Sequence, residues 1–288
     1  MEFTNFHVDY IPQQDLLKHI ELCGRVCYKS EHRINEESAR KFLKMIYEKG
    51  HLSVFEHGTV YLKINISDYI PLQGEKSLLE ILTYNKYSKS NYIDGVVHIT
   101  TNMRVLLENF DENILEVIFD KFVCEPTDFH EKRYTFKVTQ GIDISRENNR
   151  HRVNSISEES TRYCNYNKKG INFCCSSDGE FVKGEFEKYD TDFKTLLKKV
   201  LDDEVLSNLD NWMLSCMVTE FVYNNLINNG IPPQIARKKL TLDTKTETYY
   251  TAFVSDWEHY LGLRLASGAH PDARYIAEQI ERFINVQK

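Results

Sequence analysis

Residues 150–163 form a run that no apolar core can accept: Arg150, His151, Arg152, Val153, Asn154, Ser155, Ile156, Ser157, Glu158, Glu159, Ser160, Thr161, Arg162, Tyr163. Three cationic or cationisable side chains open it. Two carboxylates and four hydroxyls follow, and Arg162 sits next to its end. A guanidinium is a planar fork that gives phosphate two parallel charge-assisted hydrogen bonds. Two Arg clusters about ten positions apart, with small hydroxyl residues between them, suit a loop wrapped around an anionic ligand. Glu158 can orient those guanidiniums or accept from a sugar hydroxyl. The plain alternative is a solvated Arg/Glu surface loop that contributes little.

The rest of the chain makes a local anion site the only kind it can offer. Its 288 residues carry a net charge of -7, which argues against bulk electrostatic binding to nucleic acid or to an anionic membrane. The hydrophobic fraction of 41% is that of an ordinary globular protein. No apolar run approaches the roughly 18 residues that a membrane span needs. Met1–Tyr10 contains Glu2 and Asp9 and lacks a basic region followed by an apolar core, so no signal peptide is expected and the expected location is cytoplasmic. The seven cysteines are odd in number and have no metal-ligand spacing. Cys174 and Cys175 are adjacent, and Cys23 and Cys27 lie one helical turn apart. They read as buried or idle thiols in a reducing compartment, and no metal site is expected.

Periodicity divides the chain. Leu16, Leu17, Ile20, Cys23, Val26 and Cys27 recur at helical spacing and predict a helix over 12–28. Asn35 reads as an N-cap, with Gly50 past the end of the helix and Phe42, Leu43 and Ile46 as its buried stripe. Val60, Leu62, Ile64 and Ile66 alternate with polar residues and predict a half-buried strand, as do Tyr134, Phe136 and Val138. Between them lie a tyrosine-rich polar stretch from Tyr84 to Tyr92 and predicted helices at 101–109 and 113–123. Further helices are expected at 188–200, 203–228 and from His270-Pro271 to about Val286. The one at 203–228 carries Trp212, Met213, Cys216, Met217 and Phe221. It reads as a central core helix, ended by Gly230, with Pro232 starting the next.

Arg-His-Arg at 150–152, then Ser160, Arg162 and Tyr163, resembles the signature of the flavin-dependent thymidylate synthases (the ThyX family). Three other segments resemble the same family. Gly50-His51-Leu52-Ser53-Val54-Phe55-Glu56-His57 is similar to its "GHxSxxEH" element. Gly230-Ile231-Pro232-Pro233-Gln234-Ile235-Ala236-Arg237 is similar to "GxPxxxAR". Trp257–Arg264 ends in Leu-x-Leu-Arg. Residues 67–130 depart from the shortest members and read as an insertion into one catalytic domain spanning 1–288. Phe253 and Ser255 stand where Asn and Arg are frequent, which leaves contacts to the distal part of FAD open.

The resemblance implies an α+β fold, helices around an antiparallel sheet core, one domain per chain, in a homotetramer with shared sites. It implies reductive methylation of dUMP, with methylenetetrahydrofolate as carbon donor, FAD as bound cofactor and NADPH as the source of hydride. It assigns Arg264 to the uracil ring as the catalytic residue. Glu147, Arg150, Glu158, Ser160, Thr161, Arg162 and Arg237 would join it around dUMP, Arg237 reaching a neighbouring subunit's site. It assigns His51, Ser53, Arg150, His151, Arg152, Glu158 and His259 to the flavin, with Glu56 and His57 behind them. Lys238 and Lys239 fit a solvated helix end. Ser160 reads as a phosphate or sugar ligand, because no His-carboxylate pair is placed to activate it. Two rival functions stay open on the residues alone: a non-enzymatic nucleotide- or RNA-binding protein, and a flavin reductase without methyl transfer.

Overall fold

Alternation in Tyr134, Phe136 and Val138 produces the strand on which the molecule is built. The computed structural model describes residues 1–68 and 77–287. Its strands are β1 (Glu2–Thr4), β2 (His7–Tyr10), β3 (Thr59–Asn65), β4 (Lys89–Ile93), β5 (Val96–Asn102), β6 (Arg133–Gly141), β7 (Ser155–Glu158), β8 (Asn172–Cys174) and β9 (Lys245–Phe253). The main sheet is antiparallel, in the order β2-β6-β9-β7. β6 and β9 pair along their whole length, from Arg133 opposite Phe253 to Gly141 opposite Lys245.

The pleat sorts the two faces of this sheet. Phe136, Val138, Tyr250 and Ala252 pack with Trp257, Tyr260 and Leu261 of the helix Val254–Arg264 and with Ile276, Ile280 and Ile284 of the helix Pro271–Gln287. The opposite face is polar and is knit together by short side-chain bonds. His57 Nδ1 lies 2.8 Å from Thr251 Oγ1, His19 Nε2 lies 3.1 Å from Thr135 Oγ1, and the two threonine hydroxyls are 2.7 Å apart. Burial and then the Arg133 charge hold His19 at about 4. Burial, with His19 and Arg133 adding to it, keeps His57 well below the ordinary histidine value. Both imidazoles are neutral at pH 7.

A second antiparallel sheet, β3-β5-β4, carries Val60, Leu62, Ile64, Val97 and Ile99 against the helices Leu78–Thr83, Met103–Asn109 and Glu112–Lys121. The two strands with clear alternation therefore belong to different sheets. β3 pairs with β5 from the 67–130 segment, not with β6. Residues 69–76 of that segment lie outside the described residues. A parallel pair, β1-β8, closes the far side.

Several boundaries move. The first helix is Leu16–Arg25, capped by Asp15 and continued by one 3-10 turn over Val26–Tyr28, so 12–14 are not helical. The second helix starts at Ser38, not 36. Asn35 instead accepts from the Glu37 amide and shapes the turn before it. Residues 101–102 belong to β5, and Lys89–Ile93 of the tyrosine-rich stretch is strand. The predicted helix at 188–200 is Phe193–Leu201. The long helix is Asn208–Asn228, with Ser207 as N-cap and Gly230, at φ +82°, in the left-handed turn beyond its end. It is not central within the chain. Met213, Cys216, Thr219 and Tyr223 are buried, but Phe221 is 55% exposed and Val218 38%. Its apolar residues divide between two faces, which a one-dimensional stripe does not reveal. After Pro232 the expected helix is a single turn, Pro233–Ala236, followed by a 3-10 turn at Arg237–Lys239.

Candidate active site

β6 runs through Gly141 directly into the helix Ile142–Asn148, and the Arg150–Tyr163 run begins two residues after that helix ends. The run is not one continuous loop. Ser155–Glu158 is β7, the edge strand paired with β9. This splits the signature into a tight turn on one side and a second turn on the other, and each turn lines its own cleft.

The first cleft, about 500 Å³, is lined by Arg150, His151, Arg152, Val153, His259, Leu263 and Arg264 among others. Arg264 is its most constrained cation. Its Nη1 donates to Glu147 Oε2 at 2.8 Å, its Nε donates to His151 Nε2 at 3.1 Å, and its Nη2 donates to the Glu147 carbonyl. A guanidinium has five N–H donors, so two remain for a ligand. The His151 ring stands edge-on to Tyr260, with centroids 4.8 Å apart, and 6.4 Å from that of His259. Burial, then the Arg264 and His259 charges, push His151 down to about 4. It accepts from Arg264 as a neutral ring. Arg150 and Arg152 are exposed and make no side-chain hydrogen bond or ion pair among the described residues.

This pKa has a consequence for acid stability. Because the folded value is depressed below the unfolded one, the contribution of His151 is fully present above about 6.5 and is lost as pH falls through about 4. A proton on Nε2 removes the acceptor for Arg264 and places a cation against it. An NMR titration of the imidazole should show His151 resisting protonation until near pH 4. A His151 midpoint near 6.5 would contradict the Arg264–His151 contact.

The second cleft, about 530 Å³, is lined by Ile142, Arg146, Glu158, Glu159, Ser160, Thr161, Arg237, Lys238, Leu240, Thr241 and Leu242. Arg237 Nη1 donates to Thr161 Oγ1 of its own chain at 3.1 Å. Lys238, expected as a solvated helix end, lines the cleft beside Arg237. The helix Ile142–Asn148 is the wall between the clefts, with Ile142 and Arg146 on one and Glu147 reaching Arg264 at the other. The anchoring residues are thus grouped as Glu147, Arg150, His151, Arg152, His259 and Arg264 at one cleft and Glu158, Ser160, Thr161 and Arg237 at the other.

The remaining expected residues lie apart from both clefts. His51 and Ser53 are exposed at the start of the 3-10 helix Leu52–His57, and His51 Nδ1 lies 3.3 Å from the Tyr28 hydroxyl. Tyr28 in turn packs on Tyr163, with ring centroids 5.3 Å apart. Arg162 is exposed and lies over the Tyr163 ring. His57 is fully buried and bonds Ser157 Oγ of β7 at 3.0 Å, so it supports the signature from beneath. Phe253 is buried, with Lys89 and Arg133 over its ring, and the Ser255 hydroxyl donates to Glu131 at 2.6 Å.

Sequence reasoning missed the residues that hold the two turns. Asn149 Nδ2 donates to Glu158 Oε2 at 3.0 Å, and the Tyr250 hydroxyl donates to Asn149 Oδ1 at 2.9 Å. Asn148 Nδ2 donates to Gln140 at 2.8 Å, and Tyr260 donates to Asn148 at 3.2 Å. Two adjacent amides at a helix end, directly before a cationic triplet, are the local signal. Arg146, a third cation at the second cleft, lies one helical turn before Arg150.

The profile described as Thy1, thymidylate synthase complementing protein, matches residues 8–73 and 125–286. The chain belongs to this family. The stretch that its profile skips, 74–124, lies inside the 67–130 segment. A flavin-dependent thymidylate synthase from Aquifex aeolicus is 21% identical over 91% of this chain and 92% of its own length. Another from Thermosipho africanus is 25% identical over 54% of this chain and 64% of its own. Among solved structures, the UMP/dUMP methylase PolB from Streptomyces cacaoi, bound with 5-Br UMP, aligns over 98% of this chain and 90% of its own, with 17% identity and a TM-score of 0.41. No helix among the described residues is long and apolar enough to cross a membrane.

Proposed function

We propose that this Thy1-family chain is a flavin-dependent thymidylate synthase that methylates dUMP to dTMP, with methylenetetrahydrofolate as carbon donor and NADPH as reductant. The observation that carries the reading is Arg264, held by Glu147 and His151 with two donors to spare, in a cleft that also presents Arg150 and Arg152. The chain is one catalytic domain with the 67–130 segment as an elaboration. It works as a cytoplasmic homotetramer with shared sites. The exposed Val218 and Phe221 face of the long helix supports assembly.

The residues present fit a flavin. Two unpaired guanidiniums and two imidazoles at one cleft suit the acceptor-rich edge of its ring system. His51 and Ser53, the other flavin residues, do not line that cleft, so they would meet the cofactor from a second chain. When bound, the flavin supplies the hydride. The chain's own residues bind and orient the substrate. The second cleft offers Ser160 and Thr161 hydroxyls with Arg146 and Arg237 for the phosphate and sugar, and Glu158 for a sugar hydroxyl. Arg264 donates to the uracil edge and stabilises the negative charge that develops as the ring is polarised. Glu147 keeps the guanidinium in plane, and neutral His151 fixes its Nε.

Release of tritium from 5-tritiated dUMP, dependent on both folate and NADPH, tests the reading. A yellow protein without release would be a flavin reductase. A colourless protein that binds dUMP would be a binding module.

A covalent route through a cysteine nucleophile gains nothing from the structure. Cys164 follows Tyr163 in sequence but is only 3% exposed, packed with Tyr166, Ile171 and Tyr223. A nucleophilic thiol needs an accessible, cationic setting. Cys164→Ala should retain dUMP-dependent flavin oxidation, and a 5-fluoro-dUMP complex should survive denaturation in neither variant nor parent. A stable adduct mapped to Cys164 would overturn the flavin route.

A further inference from the structure

The hydroxyls of Ser160 and Thr161 sit on a turn that has to be held from behind. Two backbone bonds do part of this, from the Glu159 amide to the Glu247 carbonyl at 2.9 Å and from the Ser160 amide to the Cys27 carbonyl at 3.2 Å. Between those bonds the Glu159 side chain is buried at the edge of the cleft, and the residue is 6% exposed. A buried carboxylate is costly unless it is paired. Its partners are the Tyr166 hydroxyl, which donates at 3.1 Å, and Lys29 Nζ at 3.3 Å. The Lys29 contact is an ion pair rather than a well-aligned hydrogen bond, since Glu159 Oε2 has no hydrogen-bond partner of good geometry. Lys29 is the only cation within ion-pair distance of Glu159 among the described residues.

Lys29 is built for this position. It follows the 3-10 turn Val26–Tyr28 at φ +47°, a backbone conformation that is uncommon for a residue with a side chain. Its ammonium also bonds Glu247 and lies 3.9 Å from Glu31. Lys137 and Lys245 approach Glu247 at 3.3 and 3.2 Å. Glu247 therefore has two other cations within ion-pair distance, whereas Glu159 has no second one among the described residues. Burial opposes charge on Lys29, but Glu159 and Glu247 outweigh it and hold its pKa above the ordinary lysine value.

We propose that Lys29 is a positioning residue for the phosphate-binding turn: paired with buried Glu159 and joined to Glu247 on β9, it holds the Ser160 and Thr161 hydroxyls toward the second cleft. This rests on the reading of that cleft as the seat of the nucleotide phosphate. Lys29 does not line the cleft, so it acts only through Glu159.

The test uses the full-length protein with Lys29→Met, Lys29→Arg, and Lys29→Met/Glu159→Gln, which removes both charges of the pair and keeps the interior neutral should Lys29→Met alone not fold. In Lys29→Met or the double variant, KM for dUMP should rise about tenfold with kcat nearly unchanged, the scale of one lost charge-assisted contact. Affinity for deoxyuridine, which lacks the phosphate, should not change, and Lys29→Arg should restore most of the dUMP affinity. Hydrogen exchange at the 159–162 amides should quicken by a similar factor without any ligand. A folded variant with parental dUMP affinity and parental exchange would overturn the proposal, as would equal losses for dUMP and deoxyuridine. Faster exchange in a protein whose parent binds no dUMP would uphold the tie and sink the nucleotide reading instead.

Discussion

Arg264→Ala is expected to retain its flavin and lose dUMP turnover by 10²- to 10³-fold, the order found when one preorganised donor is deleted from a site where charge develops. The structure explains why the loss should be large. All three nitrogens of the side chain are already tied, to Glu147 and to His151, so its remaining donors are aimed before substrate arrives. A guanidinium immobilised in this way costs no reorganisation at the moment of reaction. Arg264→Lys should recover little, because an ammonium cannot reproduce a planar fork that bridges a carboxylate, a carbonyl and an imidazole. Glu147→Gln separates positioning from charge. It keeps an acceptor for Nη1 and should fall between parent and Arg264→Ala in kcat. Near-parental turnover in a folded Arg264→Ala protein would remove Arg264 from the chemistry.

What was legible beforehand follows from where each signal is stored. β3 and β6 each have one apolar and one polar face, so alternation exposes them. β9 pairs with strands on both sides and is buried on both faces over most of its length, with Thr246 and Thr248 on the face of Tyr250 and Ala252 and Thr251 on the other. Nothing alternates there, and the central strand passes unnoticed in the sequence. β7 was hidden differently. Ser155–Glu158 looks like part of a polar loop, yet Ser155 and Ser157 are buried beneath the sheet and bond Arg133 and His57. The site residues were nameable from their motifs, but their grouping was not. Glu147 and Arg264 are separated by 117 positions and meet near the C-terminal ends of the helices Ile142–Asn148 and Val254–Arg264, which start from opposite ends of the antiparallel β6–β9 pair. Lys29 had no signal at all, since its role depends on Glu159 and Glu247, two positions distant in sequence from it and from each other.

Mixing Arg237→Ala with Arg150→Ala should restore activity that neither variant has alone. Each single change removes one guanidinium from a phosphate or sugar contact and should lower turnover roughly ten- to hundredfold. In one chain Arg150 and Arg237 line separate clefts, on either side of the helix Ile142–Asn148. If the first cleft of one subunit faces the second cleft of its neighbour, a complete site takes Arg150 from one chain and Arg237 from the other. Random exchange at equal amounts then leaves about a quarter of the sites with both arginines intact. A recovery toward a quarter of parental activity is the expected result, with native mass spectrometry confirming that subunits have exchanged. The opposing arrangement is equally specific. Arg237 donates to Thr161 of its own chain, and if that contact reflects a site completed within one chain, every site in the mixture keeps one lesion. Confirmed exchange with no recovery would assign both arginines to a single subunit's site and remove the sharing from the mechanism.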